Sequence, residues 1–224
     1  MNRPSTHSLL VSSLMLLNIS LSFGQDPLRF KEEVENIGQV EYELDTSKDV
    51  IVFTGSSSIR MWDDIQQYFP DHQVVKAGFG GSQMSDLLYY SDQLILKYAP
   101  DKVFIYEGDN DIAADKTPSE IITTTVELVE KIHSMLPLTE IVLISAKPSI
   151  SRWHLKEKYE ELNRRFEIYS SKKERVNYAD VWTIMLNQNG SPKKTLFLSD
   201  SLHMNKKGYD LWAIKLAGFL EQQR

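Results

Sequence analysis

Four short polar motifs carry residue types that together make up acyl-transfer chemistry. They are Gly55-Ser56-Ser57-Ser58, Gly78-Phe79-Gly80-Gly81, Gly108-Asp109-Asn110-Asp111 and Asp200-Ser201-Leu202-His203. In that order they offer a hydroxyl nucleophile, N–H donors for an oxyanion, and an imidazole base with a carboxylate beside it. Each motif alone has a plainer reading: a helix cap, a tight turn, an acidic turn, a surface histidine. Gly78–Gly81 lacks the spacing of the dinucleotide fingerprint, and Asp109–Asp111 lacks the alternating ligands, central Gly and closing Glu of a calcium loop. Within the first motif, the residues alone leave Ser56, Ser57 and Ser58 equivalent.

The segments between the motifs must bring them together. Asp49–Thr54, Gln73–Ala77, Lys102–Tyr106 and Glu140–Ala146 are short, β-rich apolar runs, with Arg175–Tyr178 a weaker fifth. Such runs predict buried parallel strands. Between them lie helix-period stripes: Met84, Leu87, Leu88, Leu94 and Ile95; then Ile122, Val126, Val129, Ile132 and Leu136, entered through a helix start at Thr117-Pro118-Ser119-Glu120. Leu155, Tyr159, Leu162, Phe166 and Tyr169 form a third stripe, and Tyr209, Trp212, Leu216 and Leu220 a fourth. Strands alternating with helices imply an α/β fold, a parallel sheet covered on both faces. Residues 26–44 read as an outer N-terminal helix. In such sheets sites form beyond the carboxyl ends of the strands, where the first three motifs fall. The Asp-x-x-His segment precedes the last helix and reaches the same edge by folding back.

Composition narrows the class. At 224 residues and 42% hydrophobic content the chain suits one domain. A net charge of −6 and the absence of a basic cluster argue against a nucleic-acid partner. With no Cys there are no disulfides, thiolate nucleophiles or Cys-based zinc sites. No His/Asp pairing suggests a metal, and no cofactor is expected. Arg3, the apolar stretch Leu9–Phe23 and the small residues Ser22-Phe23-Gly24 read as a cleavable secretory signal over residues 1–24. Asn18 and several serines weaken that stretch as a membrane anchor. The expected product is a single catalytic domain over residues 25–224, secreted or periplasmic, without stable membrane insertion.

On these four motifs the chain resembles the SGNH hydrolase superfamily, the GDSL-like esterases and lipases, with matching blocks at 51–60, 74–88, 103–113 and 197–212. The likeness is closest to platelet-activating factor acetylhydrolase catalytic subunits and secreted bacterial relatives. It implies a three-layer α/β/α, flavodoxin-like five-stranded parallel sheet. It implies Ser57 as nucleophile, His203 as general base and Asp200 as its orienting carboxylate. The oxyanion would be held by Gly81 N–H, the Asn110 amide and the N–H of Ser57. The family's usual Gly-Asp-Ser reads Gly55-Ser56-Ser57 here, replacing an aspartate that supports the loop without reacting.

Those roles fit the chemistry. A serine hydroxyl attacks only as a base takes its proton, and imidazole is the group suited to that near neutral pH. Asp200, three residues before His203, reaches the ring if the segment forms one turn. Asn110 donates hydrogen bonds without charge, so it does not compete for the proton. The expected activity is a serine esterase or acylhydrolase cleaving small acyl esters, acetyl groups on carbohydrates above all, through an acyl-enzyme. The alternatives are a lysophospholipase or arylesterase on lipid-like esters and a secreted binding module without catalysis. Arg60, Trp62, Trp153 and His154 are candidates for substrate contact, with core or rim packing the competing reading for the two tryptophans.

Overall fold

A strand covered on both faces shows no polar alternation. Among the described residues the strands are β1 (Val50–Gly55), β2 (Gln73–Gly78), β3 (Lys102–Tyr106), β4 (Glu140–Ile144) and β5 (Val176–Ala179), with Asn177 of the edge strand β5 exposed. Every residue of β3 and β4 is buried. The computed structural model describes residues 26–42, 45 and 47–220, so the expectation of a leader at 1–24 lies outside the described residues. The strands pair in parallel in the order β2-β1-β3-β4-β5, the flavodoxin-like arrangement. The charges that begin two of them, Lys102 and Glu140, are register partners and pair at 3.1 Å.

The helices are α1 (Lys31–Gly38), α2 (Ser57–Arg60), α3 (Ile65–Tyr68), α4 (Met84–Leu94), α5 (Asp109–Ala113), α6 (Pro118–Met135), α7 (Lys156–Ser170) and α8 (Lys206–Ala217). They form the two outer layers of an α/β/α sandwich. Val34, Leu87, Leu128 and Phe166, from α1, α4, α6 and α7, pack with one sheet face. Ile59, Ile65 and Trp212, from α2, α3 and α8, pack with the other, where Phe53 stacks on Phe104 at 4.5 Å. Thr117 caps α6 as its sequence predicts: its hydroxyl accepts from Glu120 N–H, and Glu120 accepts from Thr117 N–H.

Two boundaries differ from expectation. The run through Ala146 leaves the ladder after Ile144, because Ala146 N–H turns to the Asn163 side chain of α7 at 2.8 Å. In the described part of the N-terminal segment the chain is helical over Pro27–Gly38, as a 3-10 turn leading into α1, and not over Gln39–Tyr42. At the end of β1, Gly55 has φ +122, and a β-carbon there would lie 2.0 Å from the Tyr106 carbonyl. Only glycine fits that close approach, and the chain turns there toward Ser57.

Candidate active site

The register sets the site. Gly55 lies level with both Gly78 and Tyr106, so the loops after β1, β2 and β3 leave one sheet edge side by side. The order reverses direction between β1 and β3, where such sheets open a crevice. Ser56 N–H donates to the Tyr106 carbonyl at 3.0 Å and Phe79 N–H to the Gly55 carbonyl at 2.8 Å, which locks the three loops together.

Burial separates the three serines. Ser56 and Ser58 are each 1% exposed, whereas Ser57, the first residue of α2, is partly open. Ser57 Oγ lies 3.0 Å from His203 Nε2. His203 Nδ1 in turn lies 2.6 Å from Asp200 Oδ2. The other carboxylate oxygen accepts the N–H groups of Leu202 and His203 at 2.9 and 3.0 Å. Burial raises the Asp200 carboxyl, but the ring and the two N–H bonds outweigh it and hold it at about 2. Ionised Asp200 accepts from Nδ1–H, so Nε2 faces Ser57 as the acceptor. The turn carrying this pair is pinned to the loop after β4, since Ile150 and Ser151 both donate to the Ser201 carbonyl at 3.1 Å.

Gly81 has φ +81 and is exposed, with no atom within 4 Å of where a β-carbon would sit. Its neighbours are tied down. Gly80 N–H donates to Glu33 of α1, Gln83 N–H to Asp86, and Met84 N–H to Asp111, at 3.0, 2.9 and 3.0 Å. The Ser82 carbonyl accepts the Asn110 side-chain amide at 2.9 Å. Among the described residues, neither Gly81 N–H nor Ser57 N–H has an acceptor, so both remain free for a negative oxygen.

Carboxylates behind such a site would repel that charge if they were ionised. Burial, with Asp111 nearby, pushes Glu107 well above the ordinary carboxylate range. Burial also raises Asp86 and Asp111, but each is paired with a cation, Arg29 at 2.9 Å and Lys116 at 3.1 Å, which offsets its charge. Geometry points the same way at Glu107. Ser82 Oγ lies within bonding distance of both the Phe79 carbonyl and Glu107. Its single proton satisfies the carbonyl when Glu107 is the neutral acid that donates in return.

A second layer lies under Asn110. The buried Asp109 carboxylate takes Lys147 and the Tyr106 hydroxyl, both at 2.9 Å, on one oxygen and Arg152 and the Tyr159 hydroxyl on the other. Burial raises Asp109, but Lys147 and Arg152 outweigh it and keep it well below the usual range. Arg152 also reaches Asn110 Oδ1 with both terminal nitrogens at 3.1 Å. Sequence reasoning passed over Lys147, Arg152 and Glu33. The signal for Lys147 was present: a lysine directly after an apolar run at the active edge, where a buried ammonium requires an anion.

The four expected substrate contacts fare differently. Trp62 is corrected: it is 0% exposed, walled in by Phe53, Phe69, Tyr209 and Trp212, and offers nothing to a ligand. Trp153 is half-buried and stacks on Trp182 at 5.7 Å, so its ring is committed to packing. His154 is exposed on the same short turn. Arg60 turns aside to Glu33 and lines a cavity of about 750 Å³ between α1 and β2 with Arg29, Tyr42 and Lys76. That cavity contains none of Ser57, Asn110 and His203; those three lie at the sheet edge where the loops after β1 and β3 emerge.

Residues 49–211 match the family model of the GDSL-like lipase/acylhydrolase family. No curated protein matches this chain. Among solved structures, a Streptococcus pneumoniae protein provisionally named a platelet activating factor is 24% identical, with a TM-score of 0.74 over 86% of this chain and 91% of its own. A GDSL-like lipase from Bacteroides thetaiotaomicron is 17% identical, with a TM-score of 0.71 over 88% of this chain and 98% of its own. An acetylxylan esterase from Geobacillus stearothermophilus is 14% identical, with a TM-score of 0.65 over 78% and 95%. These likenesses carry the fold.

Proposed function

This chain belongs to the GDSL-like lipase/acylhydrolase family and is a hydrolase of ester bonds, and from that premise we propose a serine esterase that cleaves small acyl esters through an acyl-enzyme. Ser57 Oγ attacks the ester carbonyl carbon while His203 Nε2 takes its proton. The carbonyl oxygen becomes an oxyanion held by Ser57 N–H, Gly81 N–H and the free Asn110 Nδ2–H. Collapse breaks the carbon–oxygen bond, and the alcohol leaves with the proton from His203. Water, deprotonated by the same imidazole, then attacks the acyl-serine and releases the acid. The continuous relay Asp200–His203–Ser57, at 2.6 and 3.0 Å, carries this reading. No cofactor takes part in it.

Acetyl esters of carbohydrates are the proposed substrates. The support is the acetylxylan esterase among the structural neighbours, in which catalytic mutants replace a histidine and an aspartate three positions before it. Asp200 and His203 have that spacing. Secretion supports it too: residues 1–24 read as a signal, leaving 25–224 as one catalytic domain outside the cytoplasm. Among the described residues no helix is long and apolar enough to cross a membrane.

A p-nitrophenyl ester series of increasing acyl length, run beside acetylated oligosaccharides and lysophospholipids, tests the substrate. The expected result is highest kcat/KM at acetyl and release of acetate from the sugars. A preference for long acyl chains or lysophospholipid would move the assignment to the lipid-like esters. No turnover on any arm would favour a binding module.

A further inference from the structure

We propose that Arg152 is a positioning residue for the reaction: it fixes and polarises the Asn110 amide so that its one unpaired N–H is available to the oxyanion. The inference rests on the reading of Asn110 as an oxyanion donor.

An asparagine side chain presents a donor and an acceptor of nearly the same shape, and rotation by half a turn exchanges them. Turned the wrong way, Asn110 would point a carbonyl oxygen at a negative oxygen and raise the barrier. Its two neighbours forbid that. The guanidinium has only donors, so only Oδ1 faces it, at 3.1 Å from each of two nitrogens. The Ser82 carbonyl has no proton, so only Nδ2 faces it, at 2.9 Å. With both contacts made, a single orientation is left, and one Nδ2–H remains without a protein acceptor among the described residues.

Arg152 is itself held. Its Nη1 donates to both the side chain and the carbonyl of Asp109, the residue before Asn110. Asp109 is anchored by fully buried Lys147 and by the Tyr106 and Tyr159 hydroxyls. Two cations against one carboxylate leave this network with one net positive charge beneath Asn110. Donation from a cation into Oδ1 draws electron density away from Nδ2–H, and bonds so chained strengthen one another by roughly 10–30% each. A neutral amide thereby becomes a stronger donor without a charged group standing in the cleft, where it would compete with His203.

A double-mutant cycle between Arg152 and Asn110 tests this, with p-nitrophenyl acetate as substrate and thermal unfolding as the check on folding. Asn110→Ala is expected to lower kcat about 10²–10³-fold. Arg152→Met is expected to lower kcat about 10–100-fold, less than losing the donor outright, with KM nearly unchanged. In the Asn110→Ala background, Arg152→Met should change kcat little, because its effect passes through the missing amide. Arg152→Lys keeps a cation opposite Asp109 and should restore part of kcat, which keeps the test open if the Met variant fails to fold. Full activity of Arg152→Met, or an equal loss with and without Asn110, overturns the positioning role. Full activity of Asn110→Ala alone would instead remove the oxyanion reading on which it stands.

Discussion

Replacing Ser57 with alanine should lower kcat on p-nitrophenyl acetate by about 10⁴-fold or more, with the unfolding midpoint unchanged. The hydroxyl is partly open and lies 3.0 Å from the imidazole, so removal takes away the bond-forming atom and leaves no cavity in the core. What survives is the contribution of binding and of the remaining N–H donors. Ser56→Ala and Ser58→Ala are the controls. Both side chains are buried and neither bonds His203, so each variant should keep measurable turnover. Loss confined to Ser58→Ala would move the nucleophile by one residue and contradict the geometry.

Asp200→Asn should cost about 10³–10⁴-fold in kcat, nearly as much as losing the nucleophile, although the two side chains have almost the same shape. The carboxylate accepts from Nδ1–H and leaves Nε2 bare toward Ser57. An amide that keeps the Leu202 and His203 N–H bonds on its oxygen must present its NH₂ to Nδ1, which drives the proton to Nε2. A protonated Nε2 cannot take the serine proton. Because the carboxyl is held at about 2, Asp200 stays ionised through any ordinary assay. A fall in rate on acidification from neutral pH to about pH 5, where a carboxyl held that low is still fully ionised, is therefore not its titration. A wild-type-like kcat for Asp200→Asn would mean that the tautomer is set by something else.

Why some of this was legible in the sequence, and some not, follows from the range of the interactions involved. The strands stood out because a sheet covered on both faces demands unbroken apolar runs, as in Val103–Tyr106 and Ile141–Ile144. The start of α6 stood out because the Thr117–Glu120 cap is local. The placement of Asp200 beside His203 is one turn of chain and needs no fold to anticipate. The choice among Ser56, Ser57 and Ser58 was hidden from the residues alone and came only from the family resemblance, since it depends on burial by the sheet and on an imidazole 146 residues away. Trp62 was ambiguous for the same reason, and of its two readings core packing is the one the structure shows. A tryptophan just after the nucleophile looks like a pocket wall, but Tyr209 and Trp212 of α8 close over it. Glu33, Lys147 and Arg152 reach the loops they brace across 38 to 47 residues; only Lys147, directly after an apolar run, carried a local sign of burial, and charge alone marked the other two as ordinary surface groups. Chemistry carried by short motifs was readable; the bracing that holds it in place was not.

The claim on which the account rests is that Ser57 is an activated nucleophile. Treating the folded protein with a fluorophosphonate and mapping the adduct by peptide mass tests it most directly. The expected result is one phosphonyl group per chain, on the peptide carrying Ser57, with labelling abolished by Ser57→Ala and strongly slowed by His203→Ala. Ester turnover by a chain that takes no label, or a label carried on a serine other than Ser57, would contradict it.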